Sequence, residues 1–145
     1  MSTPTAFAQI VGAIKAALED TPAVSERVYR GRTRPMDAEW PDMVNIRLDT
    51  ATRERFAIQD GPADWDTTLI IECTARSTID APDLAIDALM HAAHNRLQLD
   101  TTLDGLVMDL DLKSLEFTFD EDAEKTGTVA MTYMVLHRTD STTLE

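Results

Sequence analysis

The sequence predicts an α+β fold, an antiparallel or mixed sheet of four to five strands with two main helices packed on one face. Three observations predict it. Residues 5–19 and 80–98 repeat apolar side chains at the helical period. Residues 43–49, 65–75, 106–119 and 128–137 alternate or run apolar as strands do. Prolines, glycines and charged clusters separate these segments, so the order is helix, two or three strands, helix, two strands. A chain of 145 residues is the length of one domain and buries roughly two thirds of its extended surface. Residues 1–145 therefore read as a single domain, with 1–4 and 139–145 expected to be flexible.

In the first helix, Phe7, Ile10, Val11, Ile14, Ala17 and Leu18 form one stripe. Thr3 or Thr5 is the expected cap, and Asp20-Thr21-Pro22 ends the helix because a residue before proline is pushed out of the helical region. Val28 and Tyr29 predict a short strand, and residues 31–41, with two prolines and a glycine, a loop. From Met43 to Asp49 the alternation puts Val44, Ile46 and Leu48 inward and Asn45, Arg47 and Asp49 outward. Arg53–Ile58 continues an extended ribbon towards the turn signal Asp60-Gly61-Pro62. From Trp65 to Ala75, Leu69, Ile71 and Cys73 share one face, and Thr68, Ile70, Glu72 and Thr74 the other. Asp80 as cap, Pro82 in the first turn and Asp83 after it predict the second helix, running to about Gln98. Residues 100–105 read as a turn. Leu106–Asp111 and Leu115–Phe119 read as one strand with an irregularity at Lys113-Ser114. An acidic connection over 120–127 leads to the last strand, Thr128–His137.

Thirteen Lys and Arg against 26 Asp and Glu leave a net charge of −13, which repels free nucleic acid. The charge is unevenly distributed. Arg27, Arg30, Arg32 and Arg34 crowd one segment, with Arg47, Arg53 and Arg55 following, whereas Asp104–Glu124 is acidic apart from Lys113 and Lys125 at its border. Such polarity suits subunits that meet a basic region with an acidic one, and it also suits two solvated loops. No run approaches the roughly 18 apolar residues of a spanning helix, and no basic-then-apolar leader opens the chain, so a soluble, unexported protein is expected. The lone Cys73 lies in an apolar run and reads as a small buried hydrophobe in a reducing compartment.

One constellation invites a chemical reading. Asp87, His91 and His94 fall within about 60° of one another on a helical wheel. The wheel puts them on the polar face, opposite Ala85, Ile86, Leu89, Ala92, Ala93 and Leu97. That spacing permits an Asp87–His91 hydrogen bond, or a divalent ion between the histidines with a third ligand from elsewhere. A metalloprotease helix has its histidines four apart with a glutamate beside the first, and here Ala92 follows His91. A metal-dependent hydrolase, a subunit contact and a solvated face all remain open. The acidic run from Asp120 lacks a calcium loop's glycine at the sixth position, where Lys125 stands, and its acid at the twelfth, which is Met131. Trp40, Trp65, Phe117, Phe119 and Tyr133 read as core or interface packing. The sequence contains no nucleophile elbow, phosphate loop or dinucleotide fingerprint, and Gly12 reads as a packing glycine.

The whole-chain order resembles the tail terminator (tail completion, minor tail protein) family of bacteriophages and prophages. The likeness is carried by AFAQIVGAIKAAL at 6–18, RVYRGRTRP at 27–35, WPDMVNIRL at 40–48, WDTTLIIECTAR at 65–76, DAPDLAIDALMHAAHNRL at 80–97 and TGTVAMTYMVLHRT at 126–139. It covers nearly the whole chain. The resemblance implies a sandwich of sheet and helices, with six subunits in a ring that caps the finished tail tube and presents the surface the head joins. It implies further copies of the chain, a tail tube protein and a head-completion or connector protein as partners, with DNA only as passing cargo and no membrane. It implies no cofactor, no metal and no catalytic residue, and a place in the virion tail, or in the host cytoplasm for a silent prophage.

On that reading Arg27, Arg30, Arg32, Arg34, Trp40, Arg47, Arg53 and Arg55 are candidate subunit or tube contacts. Asp109, Asp111, Glu116, Asp120, Glu121 and Asp122 are a candidate acidic channel or interface. The alternatives are a small cytoplasmic interaction module unrelated to phage, and the hydrolase built on Asp87, His91 and His94.

Overall fold

The computed structural model of this chain describes residues 3–54, 62–79, 81–120, 125–140 and 142–145. In chain order the elements are helix α1 (Ala6–Glu19), strands β1 (Val28–Arg30), β2 (Asp42–Arg53) and β3 (Ala63–Arg76), helix α2 (Pro82–Gln98), and strands β4 (Asp109–Phe119) and β5 (Thr126–Thr139). The strands form a five-stranded sheet in the order β1-β2-β3-β5-β4. β1 runs parallel to β2, and the other neighbours are antiparallel. The fold is thus α+β with a mixed sheet and two helices packed against it.

Helix α1 starts where the side chain of Thr5, itself extended, accepts a hydrogen bond from the Ala8 amide at 3.3 Å. Of the two expected caps, Thr5 is the one used. Ile10, Ile14 and Leu18 are fully buried on the stripe facing the sheet. The far end of α1 is closed from another element. Arg96 of α2 donates to the carbonyls of Ala17 at 2.9 Å, Asp20 at 2.8 Å and Pro22 at 2.5 Å. A cation there satisfies carbonyls that have no helical partner and opposes the negative end of the helix dipole. Helix α2 begins at Pro82, with Ala81 at its cap position making no side-chain capping bond. The expected Asp80 cap lies outside the described residues, as do the expected ribbon beyond residue 54 and the turn at residues 60–61.

The core is the helix-facing side of β3 and its neighbours. Ile71 lies opposite Ile46 of β2 and Met131 of β5, and all three are fully buried. Leu69, Cys73, Val129, Tyr133 and Val135 extend this face, against Ile86, Leu89, Ala93 and Leu97 of α2. Helix α1 packs on β1 and β2, and α2 on β3 and β5. Cys73 is buried, and desolvation, followed by the charge of Asp42, pushes its thiol up to about 12.

Several strands differ from the sequence-based limits. β2 continues to Arg53, β3 starts at Ala63, and β4 starts only at Asp109, because the amides of Leu106 and Val107 complete a turn by donating to the Leu103 and Thr102 carbonyls. The expected irregularity in β4 is present as a register shift between Leu112 and Ser114. Thr139, expected in the tail, ends β5 as a buried residue whose hydroxyl accepts from the Trp65 indole at 2.9 Å, and the Leu144 carbonyl accepts from the Ala6 amide at 2.7 Å. Asn45, expected to face outward into solvent, is buried, since residues 31–41 cover it. His137 is 1% exposed, its Nε2 is 2.6 Å from the Thr67 hydroxyl, and its ring meets Phe7 edge-on at 5.1 Å.

Two predictions follow from this packing. Ile71→Ala removes a branched side chain from the centre of the sheet and should lower unfolding free energy by about 2–5 kcal/mol, read as a shifted urea midpoint at unchanged slope. Burial also lowers the pKa of His137 below its ordinary 6.5, so the unfolded chain takes up the proton first as pH falls. Stability should therefore decline below about pH 6.5 by up to about 1.4 kcal/mol per pH unit until the folded pKa is reached. Thermal unfolding at pH 7.5 and 5.5 should show a smaller drop in His137→Gln than in the parent.

Candidate functional site

The arginines expected at a contact surface divide into those that build the structure and those left at its surface. Residues 31–41 cross the face of the sheet opposite the helices. Asn45 holds this loop twice, accepting from the Arg32 amide and donating to the Arg32 carbonyl, each at 2.9 Å. The Arg32 side chain is 8% exposed, with its guanidinium 4.8 Å from the Tyr29 ring centre and 4.9 Å from that of Trp40. It also donates to the carbonyls of Arg34 at 3.2 Å and Pro35 at 3.1 Å and pairs with Asp37 at 3.4 Å. Arg32 and Trp40 thus organise the loop from within, which makes them supports of any contact surface there. Tyr29 sits within the arginine segment in sequence, whereas Trp40, eight residues after Arg32, is brought to it by the path of the loop.

Arg27 is half-buried and binds Asp42 through the backbone carbonyl at 2.8 Å and the carboxylate at 3.3 Å. Arg30 is exposed and donates to the Ala8 carbonyl of α1 at 3.1 Å. Arg47 pairs with Glu72 across β2 and β3 at 2.5 Å. Arg34 and Arg53 are exposed, and Arg55 lies outside the described residues. Loop 31–41 and the sheet enclose a concavity of about 650 Å³ lined by Arg32, Arg34, Arg47 and Arg76 together with Glu72 and Asp120.

Asp120 was grouped by sequence with the acidic strand. In the fold it lies instead in this arginine-lined concavity, at the start of the β4–β5 connection. Asp109, Asp111 and Glu116 are exposed on β4, opposite Leu136, Met134 and Ala130 of β5, on the side away from the helices. Lys113 pairs with Asp111 at 2.7 Å, a hydrogen bond and charge that raise the lysine pKa. Glu121 and Asp122 lie outside the described residues. The helix-side face of β4 is different in character. Leu115, Phe117 and Phe119 there remain 40%, 47% and 43% exposed. Because β1 and β4 are the two edges of the sheet, Arg30 of β1 and the carboxylates of Asp109, Asp111 and Glu116 on β4 stand at opposite edges, while Asp120 meets the arginines on the outer face.

The Asp87, His91 and His94 cluster does not come together as a ligand set. Asp87 and His91 are exposed. His94 was expected to look outward, yet it is half-buried, with Nδ1 2.7 Å from the Tyr133 hydroxyl and its ring stacked 6.0 Å from the tyrosine ring. The buried stripe of α2 centres on Ile86, Leu89, Ala93 and Leu97, so His94 borders it, while Ala92 is exposed. Among the described residues no three of His, Cys, Asp and Glu are arranged to hold a metal ion. None of the described helices is long and apolar enough to cross a membrane.

No protein-family model matches the chain, and no curated protein matches it. Solved structures do. The fold is similar to a chain of the virion of a native gene transfer agent particle, with a TM-score of 0.54 and 15% identity over 93% of this chain and 92% of that one. It is also similar to a chain of the sheath/tube terminator, in its extended state, of PVC, an extracellular contractile injection system. There the TM-score is 0.51 and the identity 14%, over 99% of this chain and 60% of that one. At these identities the likeness is one of fold, shared with a chain of a gene transfer agent virion and a chain of a contractile injection system.

The arginine clamp yields a prediction. Arg32→Ala removes the cation that lies over the stacked Tyr29 and Trp40 rings, together with its three hydrogen bonds within the loop, and should cost about 2 kcal/mol of stability. Urea titration would measure this, with a change in tryptophan emission reporting release of the loop around Trp40.

Proposed function

We propose that this chain is a structural protein of a phage or prophage tail, the subunit of a ring that ends growth of the tail tube and provides the surface joining tail to head. The observation that carries this reading is the fold match over 99% of the chain to a sheath/tube terminator component. The gene transfer agent match, which spans nearly all of both chains, supports it.

The surface chemistry fits such a role. A sheet with arginines at one edge and carboxylates at the other favours head-to-tail contacts between copies, and a heterologous contact whose rotation closes makes a ring. The exposed Asp109, Asp111 and Glu116 side of β4 would repel the DNA backbone and so suit the wall of a channel that passes DNA without gripping it. Tail tube protein and a head-completion or connector protein are the further partners of this reading. The hydrolase alternative loses its support because His94 is engaged with Tyr133 and the described residues hold no metal-ligand group.

Native mass spectrometry and negative-stain imaging of the full chain should show a closed ring, a hexamer. A chain that remains monomeric at high concentration and in the presence of tail tubes would favour an interaction module outside phage biology. In a structure of the ring, Asp109, Asp111 and Glu116 all far from the lumen would overturn the channel assignment.

A further inference from the structure

The two helices do not cover the sheet evenly. Helix α1 lies over β1 and β2 and α2 over β3 and β5, so the inner face of the edge strand β4, buried at Leu110, lacks comparable cover from Leu115 to Phe119. A groove of about 330 Å³ results, between α2 and the end of β4. Its walls are Leu84, Met90, Phe117 and Phe119, of which Leu84 is 62% exposed, Phe117 47% and Phe119 43%. Its rim carries the exposed carboxylates of Asp83 and Asp87, one helical turn apart. Neighbouring large apolar side chains left in water on a rim of charge mark an interaction surface.

We infer that this groove docks a second copy of the chain, which presents its opposite edge, the one bearing Arg30 and Arg34. The inference rests on the ring reading above and names the surface that reading requires. Charge chooses the occupant. The chain carries −13 overall, so two copies repel unless local groups of opposite sign meet. Asp83 and Asp87 of α2 stand beside Phe117 and Phe119 at the β4 edge of the sheet, and the exposed Arg30 and Arg34 stand beside Val28 and Tyr29 at the β1 edge. Each copy thus leaves one acidic, apolar surface and one basic surface open at opposite ends, and a copy-to-copy contact covers both at once. The Tyr29–Arg32–Trp40 stack holds the basic surface in shape before contact, which lowers the ordering cost of binding. The acids of β4 point to the other side of the sheet and are left free for the channel role.

The test uses the full chain and five altered forms of it. A photo-crosslinking phenylalanine analogue at position 117 should crosslink to residues 27–40 of another copy, identified by peptide mass spectrometry. Asp83→Lys with Asp87→Lys, and separately Arg30→Glu with Arg34→Glu, should each weaken association at least about tenfold, a loss of about 1.4 kcal/mol. All four changes in one chain should restore it. Phe117→Ser with Phe119→Ser should also abolish assembly while circular dichroism stays unchanged, since both rings are exposed. If the parent assembles and these variants assemble equally well, the groove assignment fails and the ring reading stands. If the parent is monomeric at all concentrations with and without tail tubes, both fail. Crosslinks confined to another region of the chain, or to an unrelated protein, overturn the assigned occupant.

Discussion

Burial of the helix-facing side of β3 is the constraint on which the rest of the structure depends. Leu69, Ile71 and Cys73 stand in a row on the central strand, bordered by Val44 and Ile46 on one side and Val129, Met131, Tyr133 and Val135 on the other. An apolar sheet face of that width must be covered, and each large aliphatic side chain it buries contributes about 1.5–3 kcal/mol. Two helices are available. The apolar stripe of α1 settles on the β1–β2 side and that of α2 on the β3–β5 side. Arg96 then ties them together by closing the open carbonyl end of α1 from the last turn of α2.

The surface follows from that division. Two helices side by side cover about as many strands as they can reach, and the edge strand β4 falls beyond them. Its inner residues Leu115, Phe117 and Phe119 therefore remain partly in water although their sequence alternation is that of core positions. At the other edge, β1 is only Val28–Arg30, and the chain returns across the outer face as loop 31–41, clamped by Arg32 and Asn45. One edge is thus long, apolar inside and acidic outside, and the other is short, polar and basic. Unlike edges on one sheet are the physical basis for head-to-tail assembly, and they also protect against indiscriminate edge pairing, because like edges repel.

Polar groups within the fold are mostly enlisted in holding it. Of the six described arginines expected at a contact surface, Arg27 and Arg47 are paired to carboxylates and Arg32 is packed against aromatic rings, while Arg30 and Arg34 combine exposure with a place beside β1. His94 and His137 are likewise drawn inward, one to the Tyr133 hydroxyl and one to Thr67. Charge and residue type alone do not distinguish a supporting arginine from a contacting one; the neighbours do.

The fold class, both helices, the alternating strands and the irregularity near Lys113 were legible in the sequence because they rest on local periodicity and backbone chemistry. So were the burial of Cys73 and the opposite charges of the two segments. Tertiary structure decided what depends on which segments become neighbours. It buried Asn45 under a loop whose path alternation cannot specify. It turned His94 towards Tyr133, 39 residues away, because the sheet's position fixes the centre of the α2 stripe more narrowly than a helical wheel does. It moved Asp120 among arginines and placed Arg30 and the β4 carboxylates on opposite sheet edges, since strand order is set by long-range pairing. It also left Phe117 and Phe119 exposed, because their alternation marks a face to be covered and only packing determines whether this chain covers it.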